Sequence, residues 1–539
     1  MVVKKVLYIF NDDGFGGAGQ SLLDMLIGIR KWITPVVVIR DDAPVEEKFK
    51  EVGIQCHRIR FSTDFVKIGT GDDRQRACDF VKSYEAALQL IPIIKNEKIQ
   101  MIHINSSVSY FAAIAALMMG IPYVWHIREL LEEQFGCEFL DEELKVSLYQ
   151  QADGLITISE YVQKSYLEKY RLETTRLYDG LHISRFKEVL GEKSSFDHTF
   201  IAPGLITPEK GQWDIIRAVE ILKKRGFPDV KVTIIGNGDT SFIWAMKKYI
   251  HKQNLERNIR ILPFCNDLSS LRREASYAIT SSQNEALGRV TIEAMLAGNF
   301  VIGAASGGTI EIIGENEERG LLYELHDSEA LADAMIKAME LPDDVKNRMR
   351  ETAQAYAEDT FDSQSYGSTI INLYQEISDS YRREEPAELF LADLKRKYEA
   401  AKNTDTEAEK QPEEDTRYRK SEKALKLAVK WLEVRQNGHS LAEYLKRKNI
   451  HSVAIYGMAD LGRRFYDELE GEDIQVRYLL DRNPGRMNLV LEFTPLDGER
   501  MDVDAVIVTV AGAEEQIVKD IKRRGYPQVI GLSEIISSF

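Results

Sequence analysis

Cysteine is scarce in this chain, and the signatures of hydrolytic and metal chemistry are missing. The four cysteines, Cys56, Cys78, Cys137 and Cys265, are scattered with no C-x-x-C pair. That argues against a disulfide framework and a structural zinc site, and it fits a reducing compartment. No G-x-S-x-G, H-E-x-x-H or paired metal-carboxylate spacing occurs, so hydrolase and metalloenzyme readings have no residues behind them. Positive charge is in deficit: 70 Lys and Arg stand against 86 Asp and Glu, a net −16. Phosphate contacts to nucleic acid need clustered Lys and Arg, so that class of partner is disfavoured. The opening "MVVKKVLYIFNDDG" ends its short apolar run in Asn and Asp and reads as a first strand, not a signal peptide. The stretch Ile104–Trp125 carries no charge over nearly the length of a membrane span. Gly120 and Pro122 split it, and it reads as a buried helix, a turn and a buried strand.

What remains is ordinary globular material in quantity. The chain has 539 residues, 44% hydrophobic and 29% charged, enough for three or four domains at roughly 150 residues each. Apolar runs alternate with helical patterns over the first 180 residues, at Val6–Phe10, Thr34–Ile39, Met101–Ile104, Tyr123–Ile127 and Gly154–Ile158. A second cycle follows at Phe200–Pro203, Lys231–Ile235, Ile259–Leu262, Ala278–Ser281 and Phe300–Ile302. Strands that alternate with helices predict parallel sheets, and strands apolar throughout predict sheets covered on both faces. The polar stretch Asn403–Lys423 cannot bury enough surface to offset its ordering entropy and reads as a linker. A third β-α-β unit begins near Ser452. The expectation is an α/β chain with domains at 1–185, 186–380 and 424–539 and a charged linker at 381–423.

One segment carries the chemistry. "YAITSSQNEALGRVTIEAMLAG" is a strand, a loop and a helix, with Glu285 and Glu293 either side of Gly288. Ligands of open α/β sheets bind at the carboxyl edge of the strands, and a helix start suits phosphate. Both carboxylates could accept hydrogen bonds from hydroxyls of a sugar or ribose. The plainer alternative makes Glu285 a dipole-stabilising charge and Glu293 a solvated helix residue. Lys210 stands at another strand-to-helix turn, where it could neutralise a diphosphate or be an ordinary surface lysine. Gly236 and Gly238 follow a strand, a weak sign of a nucleoside against backbone. Gly14, Gly16, Gly17 and Gly19 form a flexible loop opening the first helix, matching neither a dinucleotide fingerprint nor a P-loop. His126 ends the strand in "VWHIREL", either as a structural histidine or as one that faces a cleft.

Together, "EALGRVTIEAMLAG" with "GGTIEII" after it, "PYVWHIRE" and "ADGLITISEYV" resemble the retaining GT-B glycosyltransferases, the large nucleotide-sugar-dependent family with two glutamates separated by seven residues. The resemblance covers about residues 1 to 380, and is similar in places to bacterial surface-polysaccharide members. It implies two Rossmann-like domains facing across a cleft. Glu285 would hold hydroxyls of the donor sugar and Glu293 the nucleotide ribose. Gly288, Arg289 and Val290 would meet the diphosphate, and Lys210 would neutralise the leaving phosphate. His126 would reach the donor sugar, the Gly16–Gly17 loop would close over the cleft, and the helix after Phe361 would cross back to the first domain.

The implied reaction is retaining transfer of a hexosyl or N-acetylhexosaminyl group from a nucleotide-diphosphate sugar, a UDP-sugar slightly favoured, to a polysaccharide, glycolipid or protein acceptor. No metal and no cofactor are expected, because Lys210 and helix N-termini supply positive charge. The expected location is cytoplasmic, with peripheral contact to the inner membrane face open. The family usually has an arginine after the glycine matched by Gly204; here it is Leu205, which leaves room for an inactive nucleotide-sugar-binding or partner-regulating homologue. A nucleotide-sugar epimerase on the same architecture is the third reading. In the last unit, "IYGMADLG" has Ala459 where a dinucleotide fingerprint needs its second glycine, with Asp481 at the end of the next strand. A Rossmann-like module for packing, self-association or partner contact is expected there, with another nucleotide as the alternative.

Overall fold

A computed structural model describes residues 3–11, 15–187, 196–265, 267–381, 386–405, 413–481, 493–495, 502–511, 514–526 and 528–539. Gly14 lies outside them, as does the side chain of Asp481. The chain forms two compact bodies: Met1–Gly204, Glu209–Ile235 and Phe264–Ala408 make one, and Leu205–Pro208, Gly236–Pro263 and Glu409–Phe539 the other.

The first body holds two Rossmann-like domains. In the N-terminal one, seven parallel strands lie in the order Gln55–Ile59, Thr34–Arg40, Lys5–Phe10, Met101–Asn105, Tyr123–Ile127, Gly154–Thr157, Thr175–Arg176. The central strands are buried residue after residue, the pattern of a sheet covered on both faces. The charge-free stretch resolves into the helix Phe111–Met119, a turn at Gly120 and the strand Tyr123–Ile127. Among the described residues no helix is long and apolar enough to cross a membrane. In the second domain the strands Lys231–Ile235, Thr199–Pro203, Tyr277–Thr280, Phe300–Ala304 and Leu321–Tyr323 run side by side, all parallel.

The helix Ser363–Ser380 ties the two domains together. Asp362 caps it by accepting from the amides of Gln364 and Ser365. Tyr366, Ile370, Tyr374 and Ile377 recur at helical spacing and sink into the N-terminal core beside Tyr8, Leu22, Leu26 and Ile29. Each such side chain contributes about 1.5–3 kcal/mol by burial. The start of the stretch read as a linker is helical instead: Pro386–Asp405 packs along the helix Asp73–Glu97. Leu394 is buried there and the rings of Tyr84 and Tyr398 stack 4.3 Å apart. The helix Glu413–Gln436 follows. Charged and apolar residues are mixed along Pro386–Asp405, and apolar positions at helical spacing dock an amphipathic helix.

In the second body, a parallel sheet runs in the order Phe493–Pro495, Gln475–Asp481, Ser452–Tyr456, Ala505–Val508, Val529–Gly531. The helices Thr240–Lys252 and Asp460–Leu469 face each other in this body. Trp244 donates to Asp467 at 3.1 Å, and Lys248 pairs with Asp467 and Glu470 at 2.9 and 2.6 Å.

Candidate active site

The strand Tyr277–Thr280 delivers the chain to a loop that ends at Gly288, the N-cap of the helix Arg289–Leu296. Gly288 has φ +89°, a left-handed conformation that disfavours any other residue. A Cβ there would meet nothing nearer than 3.6 Å, so backbone shape, not crowding, is what requires glycine. No side chain caps this helix, leaving the amides of Arg289 and Val290 and the positive end of the helix dipole for an anion. Thr309 Oγ1, buried and without a hydrogen-bond partner among the described residues, lies 3.9 Å from where that Cβ would be. Behind the loop, Gly307 turns at φ +55°. A Cβ on it would stand 2.5 Å from the carbonyl oxygen of Glu285, and the amide of Gly308 donates to that oxygen at 2.7 Å. The G-G-T turn thus grips the backbone of the acidic loop.

Each carboxylate has its own cation. Lys210 Nζ lies 2.5 Å from Glu285 Oε1, held there because Ser281 Oγ donates to the Lys210 carbonyl and the Gln283 amide to that of Glu209. Arg272 Nη2 lies 2.5 Å from Glu293, with Arg289 at 3.8 Å. Burial alone would push both carboxyls up. The charges of Lys210 on Glu285, and of Arg272 and Arg289 on Glu293, outweigh it and hold both below the usual carboxylate range. Both are therefore anions at neutral pH, ready to accept from hydroxyls.

The N-terminal domain reaches this turn through its first helix, Gly17–Ile29, which starts at Gly16 without a side-chain cap. Among the described residues no atom stands within 4 Å of a Cβ on Gly17. Arg289 donates to Ser21 Oγ at 2.8 Å and to Asp24 at 3.1 Å. Asn284 donates to the Glu133 carbonyl at 3.1 Å. Glu311, from the helix Gly308–Ile313, accepts from the amide of Glu160 at 3.0 Å and from the Tyr178 hydroxyl.

His126 is fully buried. Its Nδ1 lies 3.3 Å from both His103 Nε2 and Arg128 Nη2, and its Nε2 has no partner among the described residues. Burial, then the charge of Arg128, push its pKa well below the ordinary histidine value, so the ring is neutral. An orphaned buried donor costs about 1–3 kcal/mol. Its contacts here are with His103 and Arg128, not with Lys210, Glu285 or Glu293. Gly236 belongs to the second body, where its amide donates to the Leu262 carbonyl, and so does the exposed Leu205.

Sequence reasoning missed Arg272, Ser21, Asp24 and Asp179 as partners, because each meets its partner only through the tertiary fold. His103 carried a readable sign. The register sets His103 opposite Val124 and Asn105 opposite His126, which puts both histidines on one face of adjacent strands. Among the described residues no cluster of three or more His, Cys, Asp or Glu could hold a metal ion.

Residues 186–356 match the family described as glycosyl transferases group 1, and residues 15–183 that described as glycosyltransferase family 4. Two glycosyltransferase family models thus match adjoining parts of the chain, one in each of the two Rossmann-like domains. An uncharacterized glycosyltransferase of Haemophilus influenzae is 22% identical over 246 residues, 45% of this chain and 65% of that protein. The match thus spans just under two thirds of that relative. The UDP-Gal:alpha-D-GlcNAc-diphosphoundecaprenol alpha-1,3-galactosyltransferase of Escherichia coli is 20% identical over 368 residues, 62% of this chain and 90% of the relative. The crystal structure of Anabaena HepE in complex with UDP and glucose superposes with a TM-score of 0.58 at 20% identity, over 69% of this chain and all of HepE. At that identity the likeness is one of fold, two Rossmann-like domains of the GT-B kind.

Proposed function

We propose that this chain is a retaining glycosyltransferase that moves a sugar from a nucleotide-diphosphate sugar to a polysaccharide, glycolipid or protein acceptor. One observation carries the reading: the bare helix N-terminus at Gly288 lies between two part-buried carboxylates, each kept ionised by its own cation. The diphosphate sits on the amides of Arg289 and Val290. Lys210 serves the leaving phosphate as well as Glu285. Glu285 accepts from hydroxyls of the transferred sugar, and Glu293 accepts from those of the ribose. In the transfer the acceptor hydroxyl oxygen bonds to the anomeric carbon, whose bond to the diphosphate oxygen breaks. The hydroxyl proton leaves with the diphosphate. The UDP named with HepE and the UDP-sugar named with the Escherichia coli relative favour a uridine donor.

A second reading keeps binding without turnover. Leu205, exposed beside Gly204, leaves one phosphate cation out. Thermal-shift screening over UDP-, GDP- and ADP-sugars, followed by turnover with and without acceptor, separates the two. Donor binding with release of nucleotide supports the enzyme; donor binding with none in any acceptor mixture supports the inactive homologue. Turnover that persists in chelator is expected, since Lys210 and the helix N-terminus supply the positive charge, and strict dependence on added Mg²⁺ or Mn²⁺ contradicts the assignment.

A further inference from the structure

The helix Glu413–Gln436 is apolar on two opposite faces. Leu427, Trp431 and Val434, spaced four and three residues apart, pack into the core of the C-terminal sheet with Ala424 and Ala428 beside them. Trp431 Nε1 donates to Glu468 at 2.7 Å, which fixes how the helix lies on that core. Leu425, Val429 and Leu432 repeat the four-and-three spacing two residues earlier. Two residues are about 200° of helical rotation, so this second stripe points away from the core. It is bare: Leu425 is 66% exposed, Val429 47% and Leu432 60%. Among the described residues no other helix leaves more than one large apolar side chain exposed. Single apolar side chains on a surface are ordinary, but a stripe of them along one helix marks a contact.

Charge says what covers the stripe. Lys426 and Glu433 stand on the same flank of it, and both are exposed. A second copy of the helix can lie antiparallel on the first, with the two-fold axis between Val429 and Leu432. Val429 of each copy then meets Leu432 of the other, and Leu425 lies along the stem of Gln436. Antiparallel helices bring like flanks together, so Lys426 meets Glu433 twice, once on each side of the axis. Lys426 already pairs with Glu422 of its own helix at 2.7 Å, which sets its ammonium between two carboxylates in the pair. A parallel copy would set Glu433 beside Ala428 instead, with no opposite charge there.

We propose that the outer face of Glu413–Gln436 is a self-association surface, on which a second copy of this chain docks as an antiparallel helix pair. The occupant is a copy because the flank of the stripe complements itself, one lysine and one glutamate placed to exchange. A partner carrying one sign of charge would satisfy only one of them. Such an interface is isologous and closes at two copies. The inner face already holds the helix in order, so pairing does not have to nucleate it. One seam of three apolar side chains per copy is small beside a permanent interface, so the pairing is reversible. It needs nothing from Glu285, Glu293 or Lys210 and stands apart from the sugar chemistry.

Sedimentation velocity of the full chain over a micromolar concentration series tests this. A monomer–dimer equilibrium is expected; a monomer throughout, or assembly beyond two copies, overturns the proposal. Val429→Glu sets a carboxylate against the apolar stripe of the other copy and should weaken pairing about tenfold or more. Its helix signal in circular dichroism should match the parent, because Val429 is exposed in the single copy. A dimer that survives this change places the contact elsewhere and overturns the proposal. Lys426→Glu and Glu433→Lys should each weaken self-pairing by like-charge contact. An equal mixture of those two variants should regain it, since each facing pair then joins opposite signs. Both changes fall on exposed positions, so this arm decides even where Val429→Glu loses its fold. Variants that pair as the parent does, or a mixture that stays monomeric while the parent dimerises, overturn the antiparallel contact.

Discussion

Glu285 and Glu293 look alike in the sequence, but their cations come from different directions. Lys210 approaches Glu285 from the preceding strand-to-helix turn, and Arg272 approaches Glu293 from the helix Ser269–Glu274. Glu285→Ala should mainly lower turnover, because Glu285 touches the transferred sugar in the proposed complex. Glu293→Ala should mainly weaken nucleotide binding. A hydrogen bond to a charged group is worth about 1.5–3 kcal/mol, so each loss should be roughly tenfold or more in kcat or Kd. Wild-type values in both variants would remove the site from this turn. Both carboxyls titrate below their ordinary value of 4.5 in the folded chain. The stability they contribute is therefore complete above that value and fades as pH falls below it. Thermal melts in acid should show Glu285→Gln losing less stability than the parent between about pH 5 and 3. A steeper loss in the variant would mean that the carboxyl is raised, not lowered.

At the scale of elements, the acidic loop is shaped by a turn it does not touch in sequence. Gly307→Ala would press a methyl against the Glu285 backbone at a positive φ. The expected cost is about 1–3 kcal/mol, read as a lower Tm together with impaired donor binding. An unchanged Tm would show that the loop yields freely. The central strands were legible because each is a mostly apolar run. Gln55–Ile59 was not, since this edge strand, QCHRI, carries mixed polar residues and exposes all but Ile59 at least in part. The glutamate–glycine–glutamate spacing was legible because it is local. Arg272 on Glu293 and Asp179 on Arg128 are products of the tertiary fold, with no local pattern to announce them. Pro386–Asp405 was overshadowed by the strongly polar stretch that follows it, although its own apolar residues are enough to dock a helix.

For the molecule as a whole, the helix Pro386–Asp405 decides where the chain can be cut. A chain ending at Ser380 loses the burial of Leu394 and the Tyr84–Tyr398 stack. It should melt below one ending at Asp405, by an amount corresponding to at least the ~1.5–3 kcal/mol of one buried leucine. Equal melting temperatures would make the helix an ornament. Both truncations remove the helix that Trp244 and Lys248 bind, so amide exchange in Thr240–Lys252 should rise in each.

Glu311 makes the two glycosyltransferase domains readable at a distance. Its carboxylate belongs to one domain, and the amides of Glu160 and Tyr161 that it covers, at 3.0 and 3.4 Å, open a helix of the other. Those two protons are a built-in gauge. Any rearrangement that carries Glu311 off leaves them to water, and their exchange rate then counts how often the halves part. A sugar nucleotide that draws the halves together would slow that clock, and Glu311→Ala would leave it running fast whatever is bound.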